Sequence, residues 1–321
     1  MGTKNRNQYS IWIICLLIIF IISISLKSNK QITVSHNIQK YNVESSVESV
    51  KITVLIDNYS NGTLYAPWGL SVLVQTSNIT ILFDTGPDQN TLQGNVEHLR
   101  VNVSQLDLVV ISHGHADHVE GLSYIAEQNP NITVFVPIDM SSTVKQRINS
   151  WDVTMVEIES NYLIKDDIAI IGPLYGPPNE QALAINVKGL GLIIFVGCSH
   201  PGVENLAKES VDYFETQPYA VIGGFHTLEE DEEGIRALVD ELLSLNLKKI
   251  CPTHCCGEII RDYLHNNYPS YYEEISVGYS TTFHEYEVIS SSSSSSSSSF
   301  EFLFVFGGLI SLIVKKRKKT K

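Results

Sequence analysis

Short, continuous apolar runs separated by helical stretches dominate residues 50–289. Strands are predicted over 51–56, 70–75, 79–83, 108–112, 133–137, 154–158, 168–172, 182–187, 190–196, 220–223, 249–252 and 282–288. A run that is apolar at nearly every position, instead of every second one, suits a strand covered on both faces. Helices are predicted over 90–99, 121–127, 141–149, 203–214, 231–244 and 258–266, and these supply the covering layers. Hairpins mixed with βα units define an α/β domain of about 240 residues. No internal repeat of fixed short period breaks the pattern. Hydrophobic residues make up 43% of the 321, which is enough to fill such a core and excludes wholesale disorder.

The two ends read differently. Residues 11–26 form an uncharged apolar stretch behind Lys4 and Arg6. As a helix it spans about 24 Å, short of a hydrocarbon core of about 30 Å. Residues 1–30 therefore read as a signal peptide or signal-anchor, with 31–49 as a linker. Residues 290–299 are an unbroken serine run, read as a flexible linker. A 300–314 apolar stretch and the basic 315–321 tail follow, the pattern of a C-terminal anchor with a cytoplasmic end. Terminal apolar helices, a membrane-anchored or secreted protein, and a catalytic domain outside the cytoplasm are the expectations. The sequons at Asn58, Asn61, Asn78, Asn102 and Asn131 suit secretion but carry little weight.

The net charge of -13 hides a division. With the ten bases of the two ends set aside, residues 31–314 hold 12 bases against 35 acids, a net of -23. So acidic a body disfavours nucleic acid as a partner. It leaves a small-molecule substrate open, together with a membrane contacted through the terminal segments. Of five cysteines, Cys15 lies in the first apolar stretch; Cys198, Cys251, Cys255 and Cys256 could pair or stay reduced.

The strongest chemical signal is VVISHGHADH, residues 109–118. A strand delivers His113, His115, Asp117 and His118 into the loop that follows it. In an extended segment His113 and His115 point the same way, and the turn after them faces Asp117 and His118 toward a second point. Two metal ions a few ångströms apart suit that arrangement. FVGCSH, VIGGFH and CPTH end in His200, His226 and His254, again after apolar runs. His36, His98, His265 and His284 lack this context and read as surface or structural. FDTG places Asp84 at another strand end, where it is a ligand, a carboxylate that orients a ligand, or a turn former. The orienting role, which fixes an imidazole tautomer, is favoured.

Asp84 in FDTG, HGHADH and the three downstream histidines resemble the metallo-β-lactamase superfamily over residues 50–289. The resemblance implies an αββα metallo-β-lactamase-like sandwich with the metal site at one edge of its two sheets. It implies one metal on His113, His115 and His200 and a second on Asp117, His118 and His254. A bridging aspartate belongs between the last two histidine motifs; GGFH stands there, so His226 takes its position or binds substrate. LIDNYS, WGLSVLV, SHGHADHVEGL, GCSHPGVENL, GGFH and PTHCCGE resemble a narrower branch. These are the archaeal methanopterin-pathway 7,8-dihydropterin-6-methyl-4-(β-D-ribofuranosyl)aminobenzene 5′-phosphate synthases. Where that branch leads one to expect a Glu and often a His, this chain has Ala66, Pro67 and Trp68.

The expected activity is that of a metal-dependent hydrolase, in which hydroxide on one or two divalent ions attacks an ester, lactone or phosphoester. Asp117 orients the nucleophile, and His226 is the further catalytic candidate. The nitrogen-rich ligand set points to Zn²⁺, with Mn²⁺, Fe²⁺ and Mg²⁺ as alternatives. The dihydropterin transferase activity of the branch is the alternative function. Its diphosphate would need bases, and Arg100, Lys145 and Arg147 are the nearest in sequence. A non-catalytic surface domain with a structural metal is the second alternative.

Overall fold

In a computed structural model, residues 32–34, 47–60 and 62–285 are described. The strands are, in chain order, β1 Ile32–Val34, β2 Ser49–Ile56, β3 Ser71–Gln75, β4 Thr80–Phe83, β5 Leu108–Val110, β6 Thr133–Pro137, β7 Thr154–Ile158, β8 Tyr162–Lys165, β9 Ile168–Leu174, β10 Glu180–Val187, β11 Gly191–Val196, β12 Pro218–Gly223, β13 Lys249–Pro252 and β14 Ser280–His284. The helices are α1 Gln89–Leu99, α2 Ala116–Val119, α3 Leu122–Gln128, α4 Ser142–Asn149, α5 Val203–Phe214, α6 Glu232–Ser244 and α7 Gly257–Asn267. An eight-stranded sheet runs β1-β7-β6-β5-β4-β3-β2-β14, and a six-stranded sheet runs β13-β12-β11-β10-β9-β8.

Successive side chains of a strand point to opposite faces, and here both faces are buried. Ile81 and Phe83 of β4, with Ile193 and Phe195 of β11, join one core between the sheets. Leu82 of β4 faces Leu92 and Val96 of α1 and Ile125 of α3. Ile194 and Val196 of β11 face Leu206 of α5, Ile235 and Val239 of α6 and Ile260 of α7. The three cores make four layers, αββα, which explains the continuous apolar runs. Three elements, β1, β8 and α2, escaped prediction. β8 carries only the three-residue apolar run Tyr162, Leu163 and Ile164 in a half-buried to exposed pattern, and α2 has only four residues. β1, paired in parallel with β7, and the start of β2 fall in the 31–49 stretch read as a linker.

The expectation of membrane attachment is corrected. Among the described residues no helix is long and apolar enough to cross a membrane. The longest described helix, α6, has 13 residues, or about 20 Å against the ~30 Å required. The 11–26 and 300–314 stretches, read as terminal apolar helices, lie outside the described residues. The predicted placement outside the cytoplasm rested on them and is withdrawn.

Candidate metal centre

The candidate site forms where the C-terminal ends of parallel strands from both sheets meet. β4 and β5 are parallel neighbours; Asp84 directly follows one and His113 lies just beyond the other. β11, β12 and β13 are parallel neighbours, and His200, His226 and His254 follow them in turn. Gln181, next to the first residue of β10, ties the edges together. Its backbone N–H donates to Ser112 O (3.0 Å) and its Nε2 to Ile111 O (2.8 Å). The short α2 turns Asp117 and His118 back beneath His113 and His115. Asp84, Ser199, His226 and His254 all have left-handed backbones, with φ between 48° and 63°. Such strain in non-glycine residues costs of order 1–3 kcal/mol each and gathers at functional sites.

Hydrogen bonds at the rear of the rings fix their tautomers. Asp84 accepts from the Ser112 N–H (2.7 Å), the Ser112 hydroxyl (2.7 Å) and His118 Nδ1 (2.7 Å). With its proton given to Asp84, the Ser112 hydroxyl accepts from His113 Nδ1 (2.9 Å). Asn58 Nδ2 donates to His254 O (2.9 Å), and its Oδ1 accepts from Gly69 N–H (3.0 Å), so that Oδ1 also accepts from His254 Nδ1 (3.1 Å). With Nδ1 of each ring taken up by these bonds, His113, His118 and His254 each turn Nε2 toward a common centre. There His113 Nε2 lies 3.1 Å from His115 Nδ1, and His118 Nε2 lies 3.2 Å from His254 Nε2. The His200 ring is 4.8 Å from that of His113 and 4.9 Å from that of His115. Asp117 Oδ2 is 3.3 Å from His254 Nε2 and 3.7 Å from His118 Nε2.

Ring nitrogens this close need a proton or a cation between them, and a divalent ion can serve several of them at once. The buried Nε2 of His200 has no hydrogen-bond partner, as a ligand atom requires. Donor geometry and donor chemistry both fit divalent metal.

Electrostatics agree. Burial drives His113 well below the usual imidazole range, and His118, His115 and His200 push it further. His200 falls to about 4 through burial and then through His226 and His115. These rings are neutral at neutral pH and keep lone pairs free. At His118 burial opposes charge, but Asp84, Asp117 and Glu180 outweigh it and lift the group to about 9. Burial would raise Asp117, yet the His254 hydrogen bond and the charges of His118 and His254 hold its carboxyl far below the usual range. Without metal, His118 binds a proton, so the centre attracts positive charge.

His226 lies at the exposed rim, its ring 4.6 Å from that of His200. Cys255 holds it above the usual imidazole range through a hydrogen bond that outweighs burial. Sequence reasoning missed three residues here. Glu180, fully buried, accepts from the backbone N–H groups of Gly197 (2.9 Å), Ser199 (2.9 Å) and His200 (3.0 Å). Asn58 orients His254. Cys198 places its Sγ 3.3 Å from His118 Nε2; its position two residues before His200 was the available signal. All four described cysteines are free and buried.

Beside His200 and His226 opens a cavity of about 340 Å³. Phe225, Leu238, Glu204, Glu230 and Glu241 contribute to its wall, which has no Lys or Arg. Trp68 is exposed, with its ring 5.0 Å from His254. Of the bases nearest in sequence, Lys145 pairs with Glu157 (2.9 Å) and Arg147 with Glu120. Arg100 caps the C-terminus of α1.

Asp84→Asn is expected to weaken metal binding by about 10–100-fold, because the amide cannot accept from both Ser112 and His118 as the carboxylate does. Competition with a chromophoric chelator measures this, and unchanged affinity would remove Asp84 from the centre.

This chain belongs to the metallo-β-lactamase superfamily. Residues 79–168 match the family model of the beta-lactamase superfamily domain. Within the superfamily, the chain is 30% identical to the 7,8-dihydropterin-6-methyl-4-(beta-D-ribofuranosyl)-aminobenzene-5'-phosphate synthase of Methanocaldococcus jannaschii, over 66% of this chain and 89% of the relative. Among solved structures, Tm1679, described as a metal-dependent hydrolase of the beta-lactamase superfamily, shares the fold. Its TM-score is 0.63 at 24% identity, covering 73% of this chain and 99% of that one. A diphosphatase from the PhnP family matches with a TM-score of 0.52 at 15% identity, over 73% and 97%.

Proposed function

We propose that the chain is a metal-dependent hydrolase of a small molecule with an electrophilic carbonyl or phosphorus centre, an ester, lactone or phosphoester. The convergence of oriented imidazole lone pairs with Asp117 at the open sheet edge carries this reading. His113, His115 and His200 would hold one divalent ion, and Asp117, His118 and His254 a second. When bound, the metal lowers the pKa of water toward neutrality and polarises the electrophile. Asp117 remains ionised and accepts a hydrogen bond from the attacking water, which orients it. His226, held above the usual imidazole range by Cys255 and set against the cavity, donates a proton to the leaving group. Asp84 and Asn58 hold His118 and His254 in register throughout. Zinc suits the nitrogen-rich donor set best, with Mn²⁺, Fe²⁺ and Mg²⁺ as alternatives.

The acidic cavity wall supports a substrate whose non-reacting part is neutral or cationic. The synthase relative favours a second reading, transfer from a dihydropterin diphosphate. Against it stand the three cavity carboxylates and the pairing of Lys145 and Arg147 with acids. Metal-loaded protein assayed on phosphodiester, lactone and thioester panels, beside a dihydropterin diphosphate with its arylamine acceptor, separates the two. Hydrolysis without arylamine transfer is expected. Transfer alone would overturn the hydrolase reading.

Metal affinity should rise with pH. A proton on His118 Nε2 and a metal compete for one lone pair, and His118 keeps its proton up to about 9. Affinity is therefore expected to climb about tenfold per pH unit below that value, with proton release on binding. A flat profile between pH 6 and 8 contradicts ligation by His118.

A further inference from the structure

The two expected metal positions need a group that joins them, and no aspartate follows the FVGCSH strand at the centre. One side chain nonetheless belongs to both donor groups. His113, Cys198 and His200 bring their ligand atoms within 4.8 Å of one another, and so do His118, Cys198 and His254. Among the described residues, Cys198 is the member common to both.

Its surroundings distinguish it from the other cysteines. Cys251 packs in the apolar core between the sheets. Cys256 Sγ accepts from the Phe225 N–H and faces Gly223 O. Cys255 groups with Cys198 and His226 only. Cys198 Sγ instead faces His118 Nε2 at 3.3 Å, a contact that a proton holds in the free protein and that a cation can take over. Small residues clear the approach. A Cβ on Gly197 would stand 2.1 Å from Ser112 Oγ, and one on Gly224 would stand 2.5 Å from Gly197 O and 2.6 Å from Cys255 Sγ. The loops after β11 and β12 can therefore close on the centre only as glycines.

We propose that Cys198 Sγ is the bridging ligand of a two-metal centre, joining the ion held by His113, His115 and His200 to the ion held by Asp117, His118 and His254. This rests on the metal-dependent reading given above. On binding, the S–H bond breaks, its proton leaves to solvent, and two sulfur lone pairs go one to each ion. Metal–sulfur distances of about 2.3 Å bring two ions on one sulfur to within about 4 Å, the usual spacing of two-metal sites. A thiolate bridge selects thiophilic ions such as Zn²⁺, Co²⁺ or Fe²⁺ over Mg²⁺.

Titration of the full chain with Co²⁺, followed by absorbance and by equilibrium dialysis, tests the assignment. Wild-type protein is expected to take up two equivalents and to show a near-ultraviolet thiolate-to-cobalt band. Cys198→Ala should lose the band and at least one equivalent. Cys198→Asp should keep two equivalents without the band, because a carboxylate also bridges. Cys255→Ser should keep both. A band that survives in Cys198→Ala, or two equivalents without a band in wild type, overturns the bridge while leaving the hydrolase reading intact. Wild-type protein that takes up no cobalt overturns both. A missing band in wild type overturns the bridge by itself, so a variant that fails to fold does not rescue the proposal.

Discussion

His115→Ala is expected to lower activity by about a thousandfold while leaving the fold intact. His115 is the exposed histidine of the HGHADH group, and among the described residues its ring is hydrogen-bonded only through Nδ1 to His113 Nε2 (3.1 Å). Exposed substitutions outside packed features usually change stability by less than about 0.5 kcal/mol. Losing a metal donor removes several kcal/mol of transition-state stabilisation, and each 1.4 kcal/mol is about tenfold in rate. Thermal denaturation should therefore be almost unchanged while kcat/KM collapses. Chelation of the wild-type protein should copy the loss, and added Zn²⁺ should reverse it. A variant with full activity and full metal content would remove His115 from the centre.

Glu180→Ala should have the largest effect on stability. Its carboxylate is the acceptor for three consecutive-loop N–H groups, those of Gly197, Ser199 and His200. Burial lifts Glu180 to about 7 against the bonds from His200 and Ser199, so the group is costly to bury and costlier to remove. Alanine strands buried donors at about 1–3 kcal/mol each, less the relief of a buried charge. A net loss of about 3–5 kcal/mol follows, lowering Tm by roughly 10 °C in a domain of this size. Glu180→Gln keeps an oxygen for Gly197 and Ser199 but turns an NH₂ on the His200 N–H, so an intermediate loss is expected. A Tm within about two degrees of wild type for the alanine variant would show that other groups hold the loop.

The two substitutions separate the roles of the site. His115 supplies a donor on an already built edge, while Glu180 builds the edge by holding the loop that carries Cys198 and His200. Trp68 sets an exposed ring beside His254.

The local pattern alone determined the layered α/β class, the positions of most strands and the histidines at their ends. Each of those is written in a few adjacent residues: an apolar run, then a polar ligand at its end. β8 was hidden because a three-residue apolar run at half-buried positions is too short to mark a strand, and α2 because four residues cannot show a helical period. The serine run and basic tail invited a membrane reading that no described helix supports. Only the tertiary structure decided which side chains meet. Asn58 and His254 are 196 residues apart and Cys198 and His118 are 80 apart, separations across which no local periodicity carries information. Glu180 has no motif at all, since its partners are backbone N–H groups on another strand's loop. Pairing of β10 beside β11 within one sheet brings those groups together, and contact between the two sheets gathers the donors of the metal centre.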